Sequence, residues 1–185
     1  MAAAGKDKNA SVKPVKATKD SKKTDSKNAQ DQVKASEQEF MIQKVFVSDV
    51  SLESPKAPNV FKKNWKPDAN VELHTASELL SDEGEGMYLV NLILTVTVKN
   101  EGENAFLVEV KQSGIFTING MGTEQLGHVI GAYCPTILFP YAKETIASLI
   151  AKAGFPEINL APVNFDALYM QSLQQNTNTA AETMQ

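Results

Sequence analysis

The sequence predicts an α+β fold, in which a four-stranded antiparallel sheet is followed by a long helix and a short C-terminal helix. Strand-like stretches fill residues 40–118, and apolar residues recur at helical spacing from residue 123 onward. The turns between the strands are too short for parallel crossovers. We therefore expect an antiparallel meander with the strands in sequence order.

The predicted domain spans residues 40–175 of the 185 and lies between two flexible tails. Residues 1–39 hold nine lysines and six acidic residues, a net charge of +3, with few large apolar side chains. Such a segment cannot bury enough surface to offset its chain entropy, so we expect it to be disordered. Residues 40–185 hold nine lysines and sixteen acidic residues, a net charge of −7. Residues 176–185 form the second tail.

The four strands are predicted from composition and alternation. Phe40–Val50 is rich in β-branched and aromatic residues, and Asn70–Thr75 alternates as a half-buried strand does. Between them, residues 54–68 carry three prolines and form a long excursion. Met87–Lys99 is the clearest strand, and Ala105–Ile118 returns as its partner. One face of the third strand is apolar throughout, with Tyr88, Val90, Leu92, Leu94, Val96 and Val98.

The long helix is expected to have Thr123 as its N-cap and to stop at Gly154. Pro135 and Pro140 lie inside its helical pattern. Proline removes a backbone donor and clashes with the preceding turn, but it is tolerated at the first helical position. Pro135 therefore predicts a break and restart, with two helical pieces that meet at Tyr133–Cys134.

The last helix and the apolar surplus of the chain indicate self-association. Asn164 is the expected cap of this helix, whose apolar stripe contains Phe165, Leu168, Tyr169 and Leu173. Residues 133–149 are apolar on all sides, and the third strand is partly apolar on its second face. Because one small sheet cannot cover all this surface, we expect an oligomer formed through the helices, the sheet edges or both.

No sequence motif indicates an enzyme, a metal site or a cofactor. His74 and His128 are isolated and are interpreted as structural. Cys134 lies in an apolar segment, which favours packing over a role as nucleophile. Asp49 and Glu53 share a strand face, but at ~3.3 Å per residue they would be about 13 Å apart. That separation exceeds the roughly 5 to 9.5 Å of a glycosidase pair.

Composition also bears on partners and compartment. The lysine-rich N-terminal segment has no arginine and no aromatic residues for base stacking, which disfavours nucleic acid as a partner. The single cysteine, the lack of a membrane-length apolar run and the lack of an apolar leader favour a cytoplasmic protein.

One strand face suits a docking surface. Leu107 and Glu109 point to the face opposite that of Phe106, Val108, Val110 and Gln112. An exposed leucine beside an exposed carboxylate provides one apolar anchor and one charge for a partner. An ordinary solvated sheet face explains the same pattern, and spacing alone favours this second interpretation.

Several long, ungapped stretches together form a specific pattern. They are PKAPNVF at 55–61, WKP at 65–67, GAYCPTILFPYA at 131–142, FP at 155–156 and LAPVNFDALYM at 160–170. In order and spacing they closely resemble the SecB family of bacterial protein-export chaperones. The resemblance covers residues 40–175.

The resemblance implies a tetramer built as a dimer of dimers, with no catalysis and no cofactor. Family members bind unfolded preproteins without ATP, keep them competent for translocation and deliver them to the SecA motor ATPase. Contact with the membrane would then be indirect, through SecA.

The resemblance also implies roles for individual residues, carried over by position. The SecA-docking residues would be Asp49, Glu53, Leu107 and Glu109. The residues that support oligomer assembly would be Val108, Val110 and Gln112. The client-binding residues would be Trp65, Tyr141, Phe165 and Tyr169.

A second hypothesis is a SecB-like oligomeric binding module with one dedicated client, such as a toxin–antitoxin partner. Failure to bind SecA would favour it. A third hypothesis, an enzyme that uses Cys134 or the carboxylates, has little support in the sequence.

Overall fold

The computed structural model describes residues 38–80 and 86–182, and side-chain environments up to residue 175. The predicted N-terminal tail therefore lies almost entirely outside the described residues. Four strands form one antiparallel sheet: β1 (Glu39–Glu53), β2 (Pro67–Leu79), β3 (Met87–Asn100) and β4 (Glu103–Asn119). Each strand extends beyond the range that its sequence pattern predicted.

The order of the strands in the sheet is β1-β4-β3-β2, so the predicted meander in sequence order is wrong. Only β2, β3 and β4 follow one another. The connection of residues 54–66 is too long for a hairpin turn, and it carries the chain from one edge of the sheet to the other. The strands β1 and β2, which are neighbours in sequence, consequently form the two opposite edges.

The connection between β1 and β2 is fastened to the β3–β4 hairpin. Asn100 is 2% exposed, its Oδ1 accepts a hydrogen bond from the Lys66 N–H at 2.8 Å, and its Nδ2 donates to the Asn64 carbonyl at 3.0 Å. On the surface, Lys63 Nζ lies 2.7 Å from Glu103 Oε2. This hydrogen-bonded ion pair raises the pKa of Lys63 and lowers the pKa of Glu103.

The helical part of the chain comprises α1 (Thr123–His128), a π-helical turn (Val129–Tyr133), α2 (Cys134–Lys152) and α3 (Phe165–Glu182). Helix α2 lies on the inner face of the sheet, which the side chains of even-numbered β3 and β4 residues form. Its buried stripe has four members one turn apart, all 0% exposed: Leu138, Ala142, Ile146 and Ile150.

The prolines do not break the helical backbone. Tyr133 and Cys134 keep right-handed helical dihedral angles, with φ and ψ of −70° and −47° and of −60° and −48°. The predicted break and restart is therefore a change of hydrogen-bond pattern, with the π-helical turn ending just before Pro135. A π-helical turn shifts the bonds by one residue, which suits a helix that loses a donor at Pro135.

The helix ends agree with the predicted stop signals, and one cap differs. Gly154 has φ 84°, its N–H donates to Ala151, and the Phe155 N–H donates to Ile150, a Schellman arrangement. The Asn164 side chain accepts a hydrogen bond from the Ala167 N–H at 3.0 Å and caps α3. The long helix starts at Thr123, but its N-cap is Gly122.

Helix α3 is longer than the short helix that the sequence predicted. It continues to Glu182, into the segment expected to be a flexible tail from residue 176. No glycine or proline interrupts residues 175–182, so nothing in the chain stops the helix there.

Cys134 is fully buried under the sheet at the start of α2. Burial raises the pKa of its thiol to about 12 from the ordinary 9.0, because the charged thiolate is desolvated. A thiol in this environment is a packing residue rather than a nucleophile.

We predict that Asn100→Ala lowers the free energy of unfolding by about 1–3 kcal/mol, because the Lys66 N–H and the Asn64 carbonyl lose their hydrogen-bond partner. Urea denaturation followed by circular dichroism, at one fixed protein concentration, measures this loss. The control is Asn104→Ala, since Asn104 lies exposed in the same hairpin. Equal midpoints for the two variants would show that Asn100 does not hold the connection.

We also predict that iodoacetamide labels Cys134 slowly at pH 8 in the native protein and rapidly in urea. The native thiol carries about three orders of magnitude less thiolate than one with a pKa of 9.0. The free energy of unfolding is also expected to fall as the pH rises from 9.0 to about 12. In this range the Cys134 thiol loses its proton in the unfolded chain but keeps it in the folded one. Equal labelling rates with and without urea would contradict the burial of this thiol.

Candidate functional site

The outer patch, defined as Asp49, Glu53, Leu107 and Glu109, comes together on the sheet face opposite the helices. The register of β1 with β4 places Glu53 opposite Leu107, Ser51 opposite Glu109 and Asp49 opposite Lys111. Residues that are directly opposite each other point to the same face of a sheet. The structure therefore brings all four predicted docking residues onto one surface across two strands.

Local contacts fix the geometry of the outer patch. Thr95 Oγ1 donates to Glu109 Oε2 at 2.9 Å, so this carboxylate is held from β3. A bulge between Val47 and Asp49 adds one residue to β1 and sets the face on which Asp49 lies. The hydroxyl of the extra residue, Ser48, lies 2.8 Å from the Ser113 hydroxyl. The outer patch is thus part of a regular, hydrogen-bonded sheet surface.

A shallow outer groove of about 450 Å³ adjoins the outer patch at Leu107. Further charged and polar residues of β2, β3 and β4 line it: Asp68, Asn70, Glu72, Thr97, Lys99 and Asn104. The carboxylates of β2 extend the acidic surface toward the opposite edge, and Lys99 and Lys111 interrupt it. Charge on this face is therefore mixed, with acidic groups in excess.

The three residues assigned to oligomer assembly, Val108, Val110 and Gln112, point to the inner face and are at most 2% exposed. The Oε1 atom of Gln112 is buried and has no hydrogen-bond partner among residues 38–80 and 86–182. Gln112 lies opposite Val47 of β1, which is 43% exposed. These side chains are therefore buried within the subunit, on the strand next to β1.

The inner face of β1 is partly uncovered. Helix α2 lies over β4 and β3, and β1 pairs only with β4 in the part of the chain that the structure describes. Three large apolar side chains on this face of β1 are more than 40% exposed: Ile42, Val47 and Val50. A long edge strand with this much apolar surface is suited to pairing with another chain.

The four predicted client-binding residues do not form a single site. Trp65 packs against Phe155, with ring centroids 5.7 Å apart, and Phe165 is buried against Phe139, also at 5.7 Å. Tyr169 lies at the junction of α3 with the π-helical turn. Tyr141 is on the far side of α2 and is 53% exposed.

Phe155 is the centre of an aromatic cluster that sequence reasoning did not identify. Its ring centroid lies 4.6 Å from that of Phe106, 4.9 Å from that of Phe61 and 5.7 Å from that of Trp65. The cluster joins the β1–β2 connection to the end of α2. About half of the Phe61 side chain is exposed to solvent. The proline-rich motif around Phe61 was the available signal, but the position of Phe155 depends on the tertiary fold.

A second feature missed from sequence is an apolar groove of about 430 Å³ at the β2 edge, here named the β2 groove. It lies between the inner side of β2, helix α2, the connector after α2 and the start of α3. Its lining residues are Val71, Leu73, Phe139, Leu160, Ala161, Pro162, Val163 and Leu168. The alternation of Val71 and Leu73 indicated a half-buried strand, whereas the groove depends on where the connector passes.

Helix α3 borders a further groove of about 630 Å³ against α1, here named the α1 groove. Its lining residues are Gly122, Thr123, Glu124, Gln125, His128, Tyr169, Met170 and Leu173. Tyr169, one of the predicted client-binding residues, therefore belongs to this groove, while Leu168 on the same helix belongs to the β2 groove.

The described residues hold no cluster of three or more His, Cys, Asp or Glu that could bind a metal ion. In the same part of the chain, no helix has both the length and the hydrophobicity to cross a membrane.

The chain is similar to known proteins in sequence and in fold. The family described as "Preprotein translocase subunit SecB" matches residues 33–176. The protein-export protein SecB of Thioalkalivibrio sulfidiphilus (strain HL-EbGR7) is 54% identical over 138 residues, which cover 75% of this chain and 81% of that protein.

A solved structure with a similar fold is the SecB-like chaperone Rv1957 of Mycobacterium tuberculosis, in complex with a ChAD peptide from the HigA1 antitoxin. Its TM-score is 0.55 at 15% identity, and the match covers 67% of this chain and 90% of that one. The family match spans most of the described residues and the relative is similar over most of its length. The chain therefore belongs to the SecB family of protein-export chaperones.

Proposed function

We propose that this protein is an ATP-independent holdase, which binds unfolded preproteins in the cytoplasm and delivers them to the SecA motor ATPase. The observation that carries the proposal is the division of the subunit into two binding faces. Apolar grooves flank the helices on one side of the sheet, and an acidic surface with one apolar anchor lies on the other side.

The outer patch is the proposed SecA-docking surface. Asp49, Glu53 and Glu109 offer three carboxylates around the half-buried Leu107. Such a surface suits a basic partner segment with an apolar side chain, because the charges speed encounter and the leucine anchors the contact. Family resemblance assigns these positions to SecA, and their shared face supports that assignment.

The proposed client surfaces are the β2 groove and the four aromatic residues that the family resemblance assigns to client binding. A client that is recognised without a sequence code needs apolar contact for side chains and a free backbone edge for an extended chain. Val71 of β2 is 45% exposed and Leu168 of α3 is 42% exposed across the groove. Trp65, Tyr141, Phe165 and Tyr169 remain proposed client-binding residues, with Phe165 acting from beneath the surface through Phe139.

The assembled state that we propose is a tetramer, built as a dimer of dimers. The exposed apolar side chains of β1 and the exposed Tyr133 and Tyr141 of the long helix provide surfaces for subunit contacts. Val108, Val110 and Gln112 would support those contacts by packing β4, the strand next to β1, against the core. Several grooves on one tetramer would bind one long client with avidity.

The proposed role requires no catalysis, cofactor or nucleic acid, and it reaches the membrane only through SecA. The second candidate is a dedicated module for a toxin–antitoxin partner. The fold similarity to a SecB-like chaperone solved with an antitoxin peptide supports it. The 54% identity to a protein-export protein favours the export role.

We predict that Glu109→Lys weakens SecA binding roughly tenfold, with the largest loss at low salt, because the surface charge that attracts a basic partner is reversed. Calorimetry or surface plasmon resonance measures the affinity, and light scattering measures the assembly state. The expected result leaves the assembly state unchanged.

The matched control for this experiment is Glu78→Lys. Glu78 lies on the same sheet face, near the C-terminal end of β2 and opposite Leu89. Equal loss of SecA affinity in the two variants would indicate a general charge effect and would contradict the outer patch as the docking surface.

We predict that native mass spectrometry shows a tetramer that takes up a denatured client without ATP. Leu168→Asp is expected to weaken client binding about fivefold to tenfold, because a charge replaces apolar surface in the β2 groove. Gln171→Asp adds the same charge on an exposed part of the same helix, and is expected to bind the client normally. A monomer, or equal client binding by both variants, would contradict the assignment.

A further inference from the structure

Helix α3 is attached to the rest of the subunit near its N-terminal end. Its main contact is with the π-helical turn, and its side chains from Met170 to Gln175 are exposed. Phe165 is 3% exposed and anchors the first turn, and Tyr169 follows one turn later. Most helical stability in proteins comes from tertiary packing, so the contacts at this end stabilise α3 and fix its position.

The attachment is built around two glycines. The ring of Tyr169 lies against Gly131 so closely that a Cβ atom at this position would overlap it. A Cβ atom at Gly127 would lie 2.7 Å from the Tyr169 hydroxyl. The two glycines therefore form a notch, and any larger residue there would displace the tyrosine and the helix that carries it.

A side-chain contact between His128 and Asp166 lies beside the notch. His128 Nε2 is 2.9 Å from Asp166 Oδ1, and the His128 ring meets the Tyr169 ring edge-on with centroids 5.6 Å apart. His128 is on α1, and Asp166 is in the first turn of α3. We name the Tyr169 notch and the His128–Asp166 contact together the α3 joint.

The position of the α3 joint has a mechanical consequence. Leu168 lines the β2 groove, whereas the adjacent Tyr169 and Met170 line the α1 groove. Since both grooves share α3 as a wall, rotation of the helix about its attached end changes the width of both. We propose that the α3 joint couples the two grooves, so that occupation of the β2 groove alters the α1 groove through α3. This inference deepens the proposed function, because the occupants would be client segments, yet the joint can be tested without any client.

The first test is hydrogen–deuterium exchange of residues 166–175 in the free, full-length protein. Asp166→Ala is expected to speed exchange about twofold to fivefold, as the loss of one exposed side-chain hydrogen bond allows. Asp166→Asn keeps an acceptor for the histidine N–H and is expected to exchange nearly as the unaltered protein does. Gly131→Ala is expected to speed exchange about tenfold or more, because the added methyl group displaces the Tyr169 ring from the notch.

A double-variant comparison separates the effect of the His128–Asp166 contact from the effect that Asp166 has on the N-terminal end of helix α3 by itself. An acid in the first turn also stabilises a helix by itself, so Asp166→Ala alone is ambiguous. If Asp166 acts through His128, then Asp166→Ala speeds exchange less in a protein that already carries His128→Gln than it does in the unaltered protein. Additive effects, or unchanged exchange in Asp166→Ala, would overturn the role of this contact.

The coupling is tested by filling the β2 groove with a side chain. Val71→Trp is expected to change exchange of residues 123–128 in α1 at least about twofold, with Val71→Ala as the size control. The same substitution in a protein that also carries Gly131→Ala is expected to leave α1 exchange unchanged, because the joint is already released. A change of equal size in both backgrounds would overturn the coupling. Failure of client binding in a separate assay would instead count against the proposed function.

Discussion

Helix α2 covers mainly the middle of the sheet. A helix with its side chains is about 10–12 Å wide, and neighbouring strands are about 4.8 Å apart, so one helix covers about two strands. The stripe of Leu138, Ala142, Ile146 and Ile150 buries the inner faces of β3 and β4. The inner faces of both edge strands are left with apolar side chains in solvent. Because helix α2 is narrower than the four-stranded sheet, the edge strands β1 and β2 keep apolar surface that a partner can contact.

The period-two alternation of strands then separates two kinds of surface within a single layer. Leu107 and Glu109 face outward, while Val108 and Val110, their neighbours in sequence, lie in the core. A partner on the outer patch and a chain in the β2 groove would therefore be separated by the thickness of the sheet. The two could be bound at the same time, which suits a protein that holds a cargo while it is received by another protein.

The sequence was sufficient for features that depend on local pattern. The existence of the four strands, the apolar face of β3, the Gly154 stop and the Asn164 cap are all confirmed, because each depends on residues close together in the chain. The strand order could not be predicted in this way, since it depends on the route of the connection at residues 54–66. The Phe155 cluster and the β2 groove likewise arise from long-range contacts that leave no periodic signal.

The order of the strands also has a consequence for how the subunit forms. Strands β2, β3 and β4 join through short connections, whereas the pairing of β1 with β4 includes Glu39 opposite Asn119, 80 residues apart in sequence. Pairing of distant segments costs more loop-closure entropy and is slower. On a ribosome, β1 leaves the exit tunnel first and must wait for β4, the last strand to be made. During that interval, this chaperone chain itself presents an unpaired apolar strand, as its clients do.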